Sequence, residues 1–256
     1  RNLYLGLIPP SVSEGNKIQI PENNFCKMTD EQRSLLHAII HSKDYFLLWG
    51  PPGTGKTSVM IRNLVAHYYN ATDENIMLLA FTNRAVDEIC EAVESIGGDI
   101  KENYLRIGQT QSSASKFRSN ILKNKCEKIK SRKELLKLIG DARIFISTLT
   151  SLQKNMDILK LKKFHRIMVD EASQLPDPAM AGILVHFPHY LLIGDHKQLP
   201  AVVLQSQDQS EVKDLDLLTI GFHNLRDSVF ERMIKRVEKM NWHWALGKLS
   251  FQGRMH

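Results

Sequence analysis

Short, nearly uninterrupted apolar runs alternate with amphipathic stretches along this 256-residue chain. Tyr45 to Trp49, Ile76 to Phe81, Tyr104 to Ile107, Arg143 to Ser147, Arg166 to Asp170 and Tyr190 to Gly194 have the length of strands, and helical periodicity fills most of the intervals. A strand that is apolar at successive positions must be covered on both sides, so the alternation predicts an α/β fold: a buried parallel sheet with helices on both faces. Two segments break the rhythm. Arg1 to Lys27, with Pro9, Pro10 and Pro21, reads as the tail of an upstream domain or an edge addition, ahead of a main domain over 28–256. The polar-to-basic stretch Gln109 to Gly140 predicts a helical insertion between strands, and Gln205 to Asp216 a surface loop.

The glycines gather where the first apolar run ends. Gly50-Pro51-Pro52-Gly53-Thr54-Gly55-Lys56-Thr57 follows Trp49 and precedes the helical pattern from Ser58 to Tyr69, the strand-loop-helix setting of a phosphate-binding loop. Glycines let the backbone curl until successive N–H groups face an anion. Lys56 would then reach the β and γ phosphates and the Thr57 hydroxyl a Mg²⁺ ion, which implies ATP and Mg²⁺ as cofactors.

A second strand, through Met168-Val169, ends on the adjacent carboxylates Asp170 and Glu171. Taken alone, acids at that position serve as helix caps or solvated turns. Paired with the phosphate loop, Asp170 suits a Mg²⁺ contact and Glu171 suits orienting and deprotonating an attacking water.

Three further segments follow the loop in order: Val169-Asp170-Glu171-Ala172-Ser173-Gln174, then Gly194-Asp195-His196-Lys197-Gln198-Leu199-Pro200, then Gln252-Gly253-Arg254-Met255-His256. Together they resemble successive motifs of superfamily 1 helicases, in the branch holding the nonsense-mediated-decay and replication helicase-nuclease families. The resemblance implies the first RecA-like motor domain of an ATP-dependent nucleic-acid helicase or translocase, moving 5′ to 3′ on single-stranded DNA or RNA. It matches Gln32 to an adenine-reading glutamine, Gln198 to a γ-phosphate sensor and Arg254 to a charge-stabilising arginine of the catalytic set. It matches Phe81-Thr82-Asn83-Arg84-Ala85 and Ser147-Thr148-Leu149-Thr150-Ser151 to motifs that contact the nucleic-acid backbone. Hydroxyls at those strand ends are also ordinary helix caps, and both uses stand. Gly253 departs from the pattern, since many members carry an aromatic there.

The same resemblance implies a second RecA-like domain beyond His256 as a partner. The chain as given is therefore expected to bind ATP and hydrolyse it very slowly. Two other readings remain: the motor of a helicase-nuclease or repair protein, and an ATP-gated nucleic-acid clamp without turnover. The presence of Glu171 and Arg254 argues against the clamp.

Charge sharpens this picture in one place. Net charge is +6, but Lys116 to Lys137 carries nine Lys or Arg against two acids, a local +7, so the remainder sums to −1. That stretch predicts either a nucleic-acid surface or a solvated helical hairpin. Trp242 and Trp244 read better as packing residues of a half-buried strand than as base-stacking residues. No apolar run nears the roughly 20 residues of a membrane span, so no membrane partner is expected. Cys26, Cys90 and Cys126 are scattered, as in a reducing compartment; the expected location is cytoplasmic, or nuclear in a eukaryote.

Overall fold

The computed structural model describes residues 2–13, 28–195, 197, 206 and 208–250. The chain enters its first regular element at α1 (Asp30–His41), followed by β1 (Tyr45–Trp49), a π-helical segment (Lys56–Ile61) and α2 (Arg62–Ala71). Then come β2 (Ile76–Ala80), α3 (Asn83–Glu94), β3 (Tyr104–Ile107), α4 (Leu122–Cys126), α5 (Arg132–Asp141) and β4 (Ile144–Thr148). Next are α6 (Leu149–Gln153), α7 (Ile158–Leu161), β5 (Arg166–Val169), α8 (Asp177–Leu184) and β6 (His189–Gly194). The described chain closes with α9 (Leu215–Thr219), α10 (Val229–Lys239) and β7 (Leu246–Lys248).

These elements fall into two compact units. Of the described residues, the first unit gathers 2–13, 29–55 and those from 171 onward; the second holds residue 28 and 56–170. In the first unit β6, β1 and β7 lie side by side in parallel, Tyr45 opposite Tyr190 and Trp49 opposite both Gly194 and Lys248. Helix α10 buries Val229, Phe230, Met233, Ile234 and Val237, one face at the i, i+4, i+8 spacing of an α-helix, and Ser228 caps it by accepting from the Glu231 N–H. The N-terminal residues join this unit through an antiparallel bridge between Val12 and Ser42.

In the second unit the parallel order is β3, β4, β2, β5. Every residue of β2 and β4 is buried, as a strand covered on both sides requires. Both units are α/β with parallel strands, the fold class that the alternation of apolar runs and amphipathic stretches predicts. The stretch from 109 to 140 is helical where regular, with a 3-10 segment at Ser115–Asn120 followed by α4 and α5.

Two expectations need correction. The helical pattern from Ser58 to Tyr69 opens two residues earlier, in π-type turns, and becomes α-helical only at Arg62. The half-buried strand expected at Trp242 and Trp244 does not form. Helix α10 instead ends on Asn241 in the left-handed conformation (φ 57), with the Trp242 N–H returning to the Val237 carbonyl. His243–Ala245 then makes a 3-10 turn before β7. Trp242 is buried, whereas Trp244 stays 49% exposed and donates its indole N–H to the Pro10 carbonyl at 3.0 Å. Among the described residues no helix is long and apolar enough to cross a membrane.

Candidate nucleotide and nucleic-acid site

The chain passes from the first unit to the second between Gly55 and Lys56, and back between Asp170 and Glu171. Each unit therefore holds its own share of the candidate residues.

In the first unit, β1 delivers Trp49 and then Gly50, whose N–H donates to the Gly194 carbonyl at 3.1 Å. A Cβ on Gly50 would sit 2.7 Å from the Thr54 hydroxyl and 3.1 Å from Leu249 Cβ, so the close approach of the chain excludes a side chain there. Gly53 (φ 82) and Gly55 (φ 81) occupy the left-handed region that glycine reaches at no steric cost. The buried Thr54 donates its hydroxyl to the Pro51 carbonyl at 2.8 Å, tying the turn to itself.

Gln32 braces this loop from α1. Its Nε2 donates to the Thr54 carbonyl at 3.1 Å, and its Oε1 accepts from the Thr29 N–H at 3.0 Å. The Thr29 hydroxyl in turn accepts from the Gln32 N–H, which completes a capping box. One donor and one lone pair of the carboxamide remain beyond these bonds, and the residue is 6% exposed. The Thr-x-x-Gln cap is readable in sequence; the link to Thr54, 22 residues away, is not.

Glu171 is held in the left-handed region (φ 54, ψ 33) at the head of a 3-10 turn, Ala172–Gln174. That conformation costs a non-glycine residue about 1–3 kcal/mol and persists only where its surroundings enforce it. The turn that follows packs closely on β6, where a Cβ on Gly194 would lie 3.0 Å from the Ser173 backbone nitrogen. Ser173 Oγ accepts from the Asp195 N–H at 3.4 Å. Asp195 Oδ1 accepts from the Trp49 indole N–H at 2.9 Å and from the Lys197 N–H at 3.0 Å.

In the second unit, the π-helical segment carries Lys56 and Thr57 on its first turn. Thr57 donates its hydroxyl to Asp170 Oδ2 at 2.5 Å across 113 residues of sequence. Asp170 is buried at the end of β5, its N–H bonded to the Leu79 carbonyl at 2.7 Å. The two side chains matched to Mg²⁺ therefore share one point, and a hydroxyl beside a carboxylate is the donor set that a hard, oxygen-seeking cation takes.

The two turns matched to the nucleic-acid track differ. After β2, Phe81 is 43% exposed and Thr82, Asn83 and Arg84 are exposed, with the Thr82 hydroxyl accepting from the Ala85 N–H at 3.1 Å. After β4, Ser147 is fully buried with its hydroxyl directed at the Ile107 and Thr148 carbonyls. Thr148, 7% exposed, accepts from the Ser151 N–H at 3.1 Å. Gln198 and Arg254 lie outside the described residues.

The basic segment divides as well. Lys116 pairs with Glu91, Arg118 donates to the Ser113 carbonyl at 3.4 Å, and Lys125 donates to the Glu102 carbonyl at 3.0 Å, its ammonium pKa lowered by burial. Lys123, Lys128, Lys130, Arg132, Lys133 and Lys137 are exposed.

With that geometry in hand, similarity to known proteins is informative. A family model described as an AAA domain matches residues 27–208. The chain is similar to the DNA replication ATP-dependent helicase/nuclease JHS1 of Arabidopsis thaliana, 29% identical over 216 residues, covering 81% of this chain and 15% of that protein. It is 36% identical over 181 residues to the DNA replication ATP-dependent helicase/nuclease DNA2 of Bos taurus, covering 69% of this chain and 16% of that protein. For DNA2 of Homo sapiens the identity is 34% over 178 residues, with the same coverage of 69% and 16%. The chain thus spans about a sixth of the length of these relatives.

Proposed function

This chain belongs to the AAA-domain family, and on that premise we propose that it is the ATP-binding motor of a superfamily 1 helicase. In this reading it couples hydrolysis of the β–γ phosphate bond to movement on single-stranded nucleic acid. Family membership implies nucleotide use. The observation that carries the finer reading is the Thr57 to Asp170 hydrogen bond, which joins the last residue of the phosphate loop to the carboxylate ending β5.

The roles follow from the groups present. The backbone N–H groups of Gly50 to Thr57 and the Lys56 ammonium would hold the triphosphate. Thr57 and Asp170 would hold Mg²⁺, which supplies charge neutralisation on the phosphates. Glu171 would orient the attacking water and take its proton, while Gln198 would sense the γ phosphate. Arg254, positioned with the help of a second RecA-like domain, would stabilise charge on the transferred group.

On the nucleic-acid side, the exposed Thr82 and Asn83 are the better placed of the four matched residues to meet phosphates, with Ser147 and Thr148 supporting the turn beside them in sequence order. The exposed cations from Lys123 to Lys137 would add sequence-independent attraction. A helicase-nuclease motor is the second reading, favoured because three similar proteins are named as helicase/nucleases.

Calorimetry tests the nucleotide assignment. Lys56→Ala is expected to weaken Mg-ATP binding by up to about a hundredfold, since charge-assisted phosphate contacts are worth up to about 3 kcal/mol, with the melting temperature unchanged. Wild-type affinity in that variant would sink the reading. Glu171→Gln should retain Mg-ATP binding and lose strand-stimulated turnover in the full-length protein, and near-wild-type hydrolysis would show that another group activates the water. Reversing Lys123, Lys128 and Lys130 to Glu should weaken single-strand binding and flatten its salt dependence; an unchanged salt slope would return that segment to a solvated hairpin.

A further inference from the structure

Trp49 is the last residue of β1 and the immediate neighbour of the phosphate loop, yet it is built unlike the rest of its strand. Leu47 and Leu48 are simply buried. Trp49 donates its indole N–H to the Asp195 carboxylate at 2.9 Å, a partner 146 residues away. Its ring lies under two ammonium groups, Lys197 and Lys248, each 5.0 Å from the ring centroid. Its backbone pairs with Gly194 on one side and Lys248 on the other, and its carbonyl accepts from the Leu249 N–H at 2.8 Å.

One side chain thus touches the segment after β6 and the end of β7, each of which leads into a motif of the candidate site. Filling space at the end of a strand needs neither an N–H aimed at a carboxylate nor two cations at the ring. A charge-assisted bond is directional, and cation–π attraction falls away as a cation leaves the ring. The neighbouring backbone leaves little room for slack, since Gly50 is already in close approach to Thr54 and Leu249. Asp195 passes the linkage on, because its N–H is bonded to Ser173, two residues past Glu171.

We propose that Trp49 is a positioning residue that ties the segment after β6 to the phosphate loop, so that a nucleotide arriving at Gly50 to Thr54 is felt at Asp195 and Lys197. The inference rests on the reading of that loop as the nucleotide site. Trp49 touches no substrate in this scheme and acts through Asp195. It also makes the indole an internal reporter, because movement of either ammonium or of the carboxylate changes the field at the ring.

The test titrates Mg-ADP into the 256-residue chain, following heat by calorimetry and tryptophan emission in parallel. Emission from wild type should change along the calorimetric binding curve. Trp49→Phe, which keeps a ring for the lysines and removes the N–H, should abolish that change, leaving the signals of Trp242 and Trp244. Trp49→Phe and Asp195→Ala should each weaken binding about fivefold, and the double variant no further, because both remove one interaction. Multiplicative losses in the double variant would overturn the relay. So would an unchanged wild-type emission while calorimetry shows binding, a measurement that stands even if a variant unfolds. No binding by the wild-type chain would overturn the nucleotide reading first, and this inference with it.

Discussion

Both units bury an arginine against an aspartate, and the way each does so differs. In the second unit Arg106 on β3 pairs with Asp87 on α3, only 19 residues earlier, and the other Asp87 oxygen accepts from the Ala114 N–H at 3.3 Å. In the first, Arg232 on α10 pairs with Asp177 at the start of α8, 55 residues away. Tyr4 joins them, donating its hydroxyl to Asp177 while its carbonyl accepts from Arg232 across 228 residues. Burial works against the Arg232 charge, but the Asp177 hydrogen bond and charge more than reverse it and the pKa rises; burial and the same carboxylate push the Tyr4 phenol up. Among the described residues, one unit is residue 28 together with a single long run from 56 to 170, the other a stitching of three stretches. Contacts between distant residues carry a larger loop-closure cost before they return any stability, so the second unit is placed to consolidate first and the first to follow when its stretches meet.

The strongest way to break this comparison is Asp177→Ala. It strands a buried guanidinium and should cost about 3–5 kcal/mol in a denaturant melt. In pulse-labelled refolding it should delay amide protection in β1 and β6 while β2 and β4 keep the wild-type schedule; a common delay would show that the two units fold as one. Asp87→Ala should cost less, about 1–3 kcal/mol, because Asp87 is partly exposed, and its loss of protection should stay within residues 56–170. Thr148→Ala and Thr82→Ala each remove a helix cap and should cost about 1 kcal/mol. They should part company in single-strand binding, where only the exposed Thr82 is expected to matter. Smallest of all, Arg84→Ala breaks the exposed pair with Glu88 and should change stability by less than about 0.5 kcal/mol, a control for the surface.

Strand positions were legible because a buried parallel strand writes its burial into every residue. β1 and β3 run as expected, β2, β5 and β6 differ by a residue at one end, and β4 is shifted along the chain by one residue. β7 was not legible: Leu246-Gly247-Lys248 is three residues long and has a glycine at its centre. A Cβ at that glycine would meet Leu35 Cδ2 at 2.5 Å and Phe46 Cε1 at 2.9 Å, neighbours invisible from the chain alone. The tryptophans misled for a similar reason, since Trp244 is held by the Pro10 carbonyl, 234 residues away. The proposed phosphate loop stands out in the sequence because its spacing is local, and the carboxylates Asp170 and Glu171 because adjacent charges at a strand end are unusual. The Gln32 brace on Thr54, the Trp49 bond to Asp195 and the Tyr4 cluster depend on distant partners, and any of several polar residues would have fitted the same pattern.

The π-helical opening at Lys56–Ile61 bears on which changes of length this chain could tolerate. A π-type turn is an α-helix carrying one surplus residue. Deleting one residue from Ser58 to Ile61 would let the helix relax to regular α geometry, normally a gain. It would also rotate Lys56 and Thr57 by about 100° around the helix axis relative to α2, carrying the Thr57 hydroxyl away from Asp170. A one-residue deletion there should therefore be better tolerated by the fold than by the chemistry.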